Sequence, residues 1–200
     1  MKEILFLVLG YVMGAIPSGV WIGKYFKKID IREHGSKNSG ATNAYRVLGA
    51  KYGILVLAAD ALKGFLPPFL ASRYGLSGNI LLGIGVLAIV GHSLSFFLRF
   101  KGGKGVATSL GVFLFLIPNV TLALLIVFIL VVYFTRYISL GSIVAAIALP
   151  ILTAFTTVGN GLDKAPLLIM TTLIGIFIVY RHRSNIKRLI EGSENKFKLK

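Results

Sequence analysis

Cysteine is absent from this 200-residue chain, and it carries only seven acidic residues, three histidines and one tryptophan. The first absence excludes disulfides, thiol nucleophiles and thiolate metal sites. His34, His92 and His182 lie too far apart for any local metal motif. Among the acids, only Asp30/Glu33 and Glu191/Glu194 fall within three positions of each other, so the clustered carboxylates that metal-dependent phosphotransfer to lipid requires are missing. Long polar stretches are scarce as well. With 56% hydrophobic residues, the chain is too apolar for a soluble domain and reads as one polytopic membrane domain over residues 1–200. The first apolar run begins at Ile4 without a basic leader and outlasts the usual signal core, so it is expected to remain as a membrane helix.

Apolar segments run approximately over 4–23, 53–71, 79–98, 105–117, 120–134, 138–158 and 166–180. Two of them are short for a hydrocarbon core of about 30 Å, and Pro118 could join them as one kinked helix. Charge decides between the counts. With seven helices and an outside N-terminus, eighteen of the 22 Lys/Arg fall on the inner side and three outside, with Lys63 inside a span. Six helices leave eleven inside and ten outside, against the positive-inside tendency. The expectation is an all-α bundle of seven membrane helices, N-terminus out and C-terminus in. The net charge of +15 is then confined to one membrane face and is not interleaved with stacking aromatics, which argues against nucleic acid and for anionic lipid.

The inner side also concentrates small polar groups. Phe100-Lys101-Gly102-Gly103-Lys104-Gly105 joins two apolar segments. Glycines admit close backbone approach, the first amides of a following helix are unpaired, and lysines add charge, a combination suited to phosphate. It is not a Walker A loop, since no Ser or Thr follows Lys104 and no strand precedes it. The longest inner loop, His34 to Arg46, offers Ser36, Asn38, Thr42, Asn43 and Arg46 as hydrogen-bond partners for an anionic polyol. Asn38 or Ser39 is placed to cap a helix starting near Ala41.

Within the second span, Asp60 and Lys63 are spaced to meet as a neutralising pair, and Pro67-Pro68 is expected to kink or end that helix. His92-Ser93 is a weak candidate for a catalytic couple, and Ser142 is a serine of the kind that bonds its own helix backbone. The tail reads as an amphipathic helix with Ile186, Leu189 and Ile190 on one side, and His182 and Asn185 one turn apart.

Gly35-Ser36-Lys37-Asn38-Ser39-Gly40-Ala41-Thr42-Asn43, Gly91-His92 with Phe100 to Thr108, and His182-Arg183-Ser184-Asn185-Ile186-Lys187-Arg188-Leu189 resemble the three cytoplasmic motifs of the bacterial acyl-phosphate:glycerol-3-phosphate acyltransferases (PlsY-type). The match spans nearly the whole chain. Two positions depart from it: Lys37 stands where the family commonly has glycine, and Leu94-Ser95 where many members carry Phe-Pro.

The resemblance implies a multi-pass inner-membrane enzyme with its site facing the cytoplasm. It would pass a fatty acyl group from acyl phosphate to the 1-hydroxyl of glycerol 3-phosphate, releasing lysophosphatidate and phosphate. By resemblance and charge, Lys104, Arg46, Ser36 and His182 take the catalytic roles, and Asn43, Thr42, Gly102, Gly103, Ser142, Asn185 and Asn38 bind substrate. No metal or other cofactor is expected. The partners expected are the two substrates and membrane lipid, with a soluble acyl-phosphate-producing enzyme as a further candidate, and the chain is expected to act as a monomer. The competing reading is a carrier for a phosphorylated metabolite, which a basic glycine loop and an intramembrane ion pair would suit equally.

Overall fold

The computed structural model describes residues 1–159 and 161–197, and these are helical with no strand among them. The chain divides into two compact units, Met1–Phe115 and a second from Leu116 onward.

In the first unit, α1 (Lys2–Ala15) and α2 (Ser18–Lys27) form one apolar run bent by 44°. The single run expected over 4–23 is therefore broken. Pro17 is the cause, since a residue before proline is disfavoured in the helical region, and Ile16 sits at φ −55°, ψ 118°. The carbonyls released at this break are taken up by Lys63 Nζ, 2.6 Å from the Ile16 oxygen, and by Ser95 Oγ, 2.5 Å from that of Ala15. A short 3₁₀ turn (Ile31–Glu33) precedes α3 (Ala41–Leu48), followed by α4 (Ala50–Arg73) and α5 (Asn79–Ser93). The 3₁₀ turn Phe96–Leu98 then leads to α6 (Val106–Leu116).

Small residues set the helix approaches here. A methyl on Gly10 or Gly14 would strike the α5 backbone at Ile84 or Ala88, and one on Gly91 would strike Tyr11 of α1. Gly64 meets Thr108 and Gly111 meets Ala61 in the same way, drawing α4 against α6. Such close backbone contact is how helices gain packing where lipid removes the hydrophobic incentive.

α4 does not end at Pro67-Pro68 but continues to Arg73. In apolar surroundings a helix remains the backbone form that satisfies most of its own groups, so losing two donors costs less than abandoning the helix. Asp60 and Lys63 meet as expected, at 2.6 Å and almost fully buried.

The second unit holds α7 (Pro118–Thr135), α8 (Ile138–Phe155), α9 (Lys164–Arg181) and α10 (Arg183–Ile190). α7 packs on α8, where Gly141 receives Phe128 and Val132, and α8 packs on α9, where Gly175 abuts the Ala146 carbonyl. Five helices of the described residues are long and apolar enough to cross a membrane, or six if α1 and α2 count as one bent span. α6 is apolar but has only eleven residues, about 16 Å of helix.

Candidate active site

The first motif is organised by a side chain that points inward. Ile31, Ala44, Leu48 and Val56 form a small apolar core beneath α3, and Asn43 is buried beside it. Its Nδ2 donates to the carbonyls of Ile31 (2.7 Å), Asn38 (2.9 Å) and His34 (3.2 Å), and its Oδ1 accepts the Ser36 N–H at 2.8 Å. The amide of Asn43 is thus spent on shaping the loop, while Ser36 stands exposed on its outer side. Neither Asn38 nor Ser39 caps α3. Gly40 is the N-cap residue, and Asn38 Oδ1 instead accepts the Gly40 N–H at 2.9 Å, closing a local turn that occupies the oxygen a cap would need. Thr42 and Arg46, four residues apart, share one half-buried face of α3.

Gly35 and Lys37 both adopt left-handed backbone, at φ 59° and 58°. A lysine there bears strain that glycine would not. Below the loop, Asp30 accepts from Arg32 at 2.6 and 2.9 Å and pairs with Lys24 at 3.3 Å. The Arg32 guanidinium holds its carboxyl well below the usual carboxylate range, against the opposing effect of burial.

The second motif folds back on the end of α5. The Gly102 and Gly103 amides donate to the Ser93 (3.1 Å) and His92 (3.2 Å) carbonyls, and Arg99 and Phe100 turn the chain through left-handed conformations. Gly105, at φ 87°, offers the carbonyl that receives the Ser109 N–H and opens α6. Lys104 is half-buried between these glycines, whereas Lys101 is exposed. His92 Nδ1 lies 3.7 Å from Asp60 Oδ1.

Ser142, His182 and Asn185 belong to the second unit, and all three are buried. Ser142 Oγ donates to the Ile138 carbonyl at 3.0 Å. His182 Nδ1 lies 2.8 Å from the Ile178 carbonyl, which fixes the proton on Nδ1. Asn185 Nδ2 donates to Glu194 Oε1 at 2.8 Å, the same oxygen accepts Ser139 Oγ at 2.8 Å, and Arg188 Nε reaches Glu194 Oε2 at 2.7 Å. Glu194 thus ties the tail to α8 and α10. Burial would raise its carboxyl, but these three donors together hold it below its ordinary value. Sequence reasoning passed over Glu194 as a site residue, and the available signal was one of two acids, Glu191 and Glu194, in an otherwise basic tail. α10 buries His182 and Asn185 and leaves Ile190 exposed. Between α8 and α9 runs an apolar groove of about 480 Å³, lined by Ala146, Pro150, Gly175 and Val179 among others.

Apolar helices that carry buried polar side chains, with cationic glycine loops at their ends, define a polytopic membrane protein. Residues 4–192 match the family model for glycerol-3-phosphate acyltransferase. A glycerol-3-phosphate acyltransferase of Fusobacterium nucleatum subsp. nucleatum is 59% identical over 193 residues, covering 96% of this chain and 97% of that one. One from Bacillus subtilis (strain 168) is 46% identical, covering 97% of each. The crystal structure of PlsY, an integral membrane glycerol 3-phosphate acyltransferase, in its glycerol 3-phosphate form superposes with a TM-score of 0.90 at 39% identity, covering 99% of this chain and 96% of that one. Its lysophosphatidic acid form gives 0.88 at 38% identity with the same coverage. This chain belongs to the glycerol-3-phosphate acyltransferase family.

Proposed function

We propose that this protein transfers a fatty acyl group from acyl phosphate to the 1-hydroxyl of sn-glycerol 3-phosphate, forming lysophosphatidate and phosphate. The observation that carries the reading is a family match from end to end, together with a solved relative described in both glycerol 3-phosphate and lysophosphatidic acid forms. The donor rests on the three-motif resemblance and on chemistry. An acyl phosphate is a mixed anhydride with a good leaving group, so a protein without a cysteine or a Gly-x-Ser-x-Gly elbow can act by orientation and charge neutralisation.

Transfer is direct. The glycerol hydroxyl oxygen bonds to the acyl carbon, the bond from that carbon to the phosphate oxygen breaks, and a phosphate oxygen takes the hydroxyl proton. Lys104 and Arg46 neutralise charge that develops on the phosphates, with the Gly102–Gly103 backbone carrying Lys104 to the start of α6. Ser36, Thr42, Ser142 and His182 bind and orient substrate. Asn38, Asn43 and Asn185 enter chiefly through the loops they hold, and the groove between α8 and α9 offers an apolar path for an acyl chain.

The membrane arrangement proposed is seven spans, with the bent α1–α2 as the first and the short α6 as the fourth. It puts the N-terminus outside a bacterial inner membrane and the site and C-terminus on the cytoplasmic side. The protein acts as a monomer and takes soluble substrate, and docking of an acyl-phosphate-producing enzyme, from that side. The test uses purified protein in detergent. Acyl phosphate plus glycerol 3-phosphate should yield lysophosphatidate with no compartment present, which a carrier cannot do, and acyl-CoA should not substitute. Equal turnover with acyl-CoA would refute the donor assignment.

A further inference from the structure

Asp60 and Lys63 lie deep in α4 and take no part in the reaction proposed above. A buried ion pair costs more to insert than an apolar one and is poor evidence of added stability. What surrounds it suggests another use. Lys63 bridges Asp60 and the Ile16 carbonyl, which fixes the carboxylate, and His92 Nδ1 faces that carboxylate at 3.7 Å. The opposite edge of the same ring faces the glycine loop, where a methyl on Gly103 would overlap His92 Nε2 and Cε1.

The two loop glycines differ in a telling way. Neither lies in the left-handed region, so neither is required by its backbone angles. A methyl on Gly102 would strike the His92 and Ser93 main-chain oxygens, whereas a methyl on Gly103 would strike only the His92 side chain. The first restriction persists whatever residue stands at 92, and the second disappears if the imidazole is removed.

We propose that His92 is a positioning residue: its imidazole, oriented by the buried Asp60–Lys63 pair, is the surface that seats the Gly102–Gly103–Lys104 backbone, and Gly103 is glycine to fit that ring. The inference rests on the loop being the phosphate cradle of the proposed reaction. At 3.7 Å the acid and imidazole make an electrostatic contact longer than a direct hydrogen bond, sufficient to choose which ring edge faces the loop.

The experiment is a double-mutant cycle on detergent-purified protein, read by melting temperature and by kcat and KM for glycerol 3-phosphate. Gly103→Ala alone should lower the melting temperature and raise KM by about tenfold or more, with kcat changed less; in a His92→Ala background the same methyl should cost about twofold or less. Gly102→Ala should be equally harmful in both backgrounds. Asp60→Asn should raise KM in the same direction as His92→Ala, and His92→Gln should recover part of the loss. Where His92→Ala does not yield monodisperse protein, His92→Gln, whose flexible amide can yield to a methyl, replaces it in the cycle with the same expectation.

A Gly103→Ala penalty that is unchanged by residue 92, in both readouts, would overturn the inference and return Gly103 to direct contact with the ligand. The melting-temperature cycle needs no substrate. Relief of the methyl penalty there, in a protein that forms no lysophosphatidate, would uphold the seat and refute the activity.

Discussion

The side-chain oxygen of Asn43 accepts the backbone N–H of Ser36 at 2.8 Å, while the nitrogen of the same amide donates to three carbonyls of the loop that carries Ser36. One buried amide therefore sets the position of an exposed hydroxyl seven residues earlier.

Asn43→Ala should be far more damaging than its lack of exposed atoms suggests. It strands the Ser36 N–H and the Asn38 carbonyl, while the Ile31 and His34 carbonyls keep the backbone N–H groups of His34 and Lys37, at about 1–3 kcal/mol for each group left unsatisfied. The expected result is a fall in kcat/KM of at least about a hundredfold with a lower melting temperature. Asn43→Asp, which keeps the acceptor and loses the donors, should be no better. Near-normal activity in either variant would show that Ser36 is placed by other means.

Lys104→Ala and Lys101→Ala should diverge. Lys104 is half-buried at the start of α6 and Lys101 is exposed. A charge-assisted contact to phosphate contributes about 1.5–3 kcal/mol, so kcat/KM should fall about ten- to hundredfold or more for Lys104→Ala. For Lys101→Ala the change should stay within about threefold. Equal and mild losses would reduce the loop to a topological signal.

Glu194 makes stability depend on pH in a defined direction. Its folded pKa is lowered, so the unfolded chain binds the proton more readily. Its contribution is complete above the unfolded value of about 4.3 and is lost as pH falls through the folded value. Asp30, also lowered, adds a loss further down. The melting temperature of the purified protein should fall as pH is lowered below about 4.3, and Glu194→Gln should start lower and show a shallower decline. An identical pH profile in wild type and Glu194→Gln would remove this carboxylate from the account.

Direct transfer predicts no acyl-enzyme. Protein mixed with labelled acyl phosphate in the absence of glycerol 3-phosphate, quenched in acid and weighed intact, should show no stoichiometric adduct. An adduct on Ser36 or Ser142 that glycerol 3-phosphate discharges would establish two steps instead.

The charge asymmetry along the chain predicts that a C-terminal reporter labels only from the cytoplasmic side of intact cells. Labelling from outside would invert the arrangement proposed here.

Much of the fold was legible because apolar runs are long and their interruptions are glycines, lysines and prolines. The prolines themselves were read unevenly. Pro17 breaks its helix, while Pro67-Pro68 and Pro150 are carried inside theirs. Pairs close in sequence, such as Asp60 and Lys63, were visible from spacing alone. Glu194 was not, since the tail must fold back on itself to bring Asn185 and Arg188 to it and its third donor, Ser139, stands 55 residues away. Asn43 was singled out as a ligand-binding residue, but no pattern in the sequence revealed that its amide faces inward. Lys37, by contrast, was marked as unusual by resemblance alone, and its positive φ supplies the physical reason that glycine suits that position.

The bend between α1 and α2 also bears on how the protein is made. Ribosome and translocon deliver this segment before α4 and α5, with the carbonyls of Ala15 and Ile16 released by the proline. The groups that receive them, Ser95 and Lys63, follow 80 and 47 residues later. During synthesis this helix therefore enters the bilayer with the Ala15 carbonyl unpaired and that of Ile16 held only by the Ser18 N–H, and both draw on water or headgroups until α4 and then the segment beyond α5 emerge. The α1–α2 segment is inserted before α4 and α5 and completed only after them.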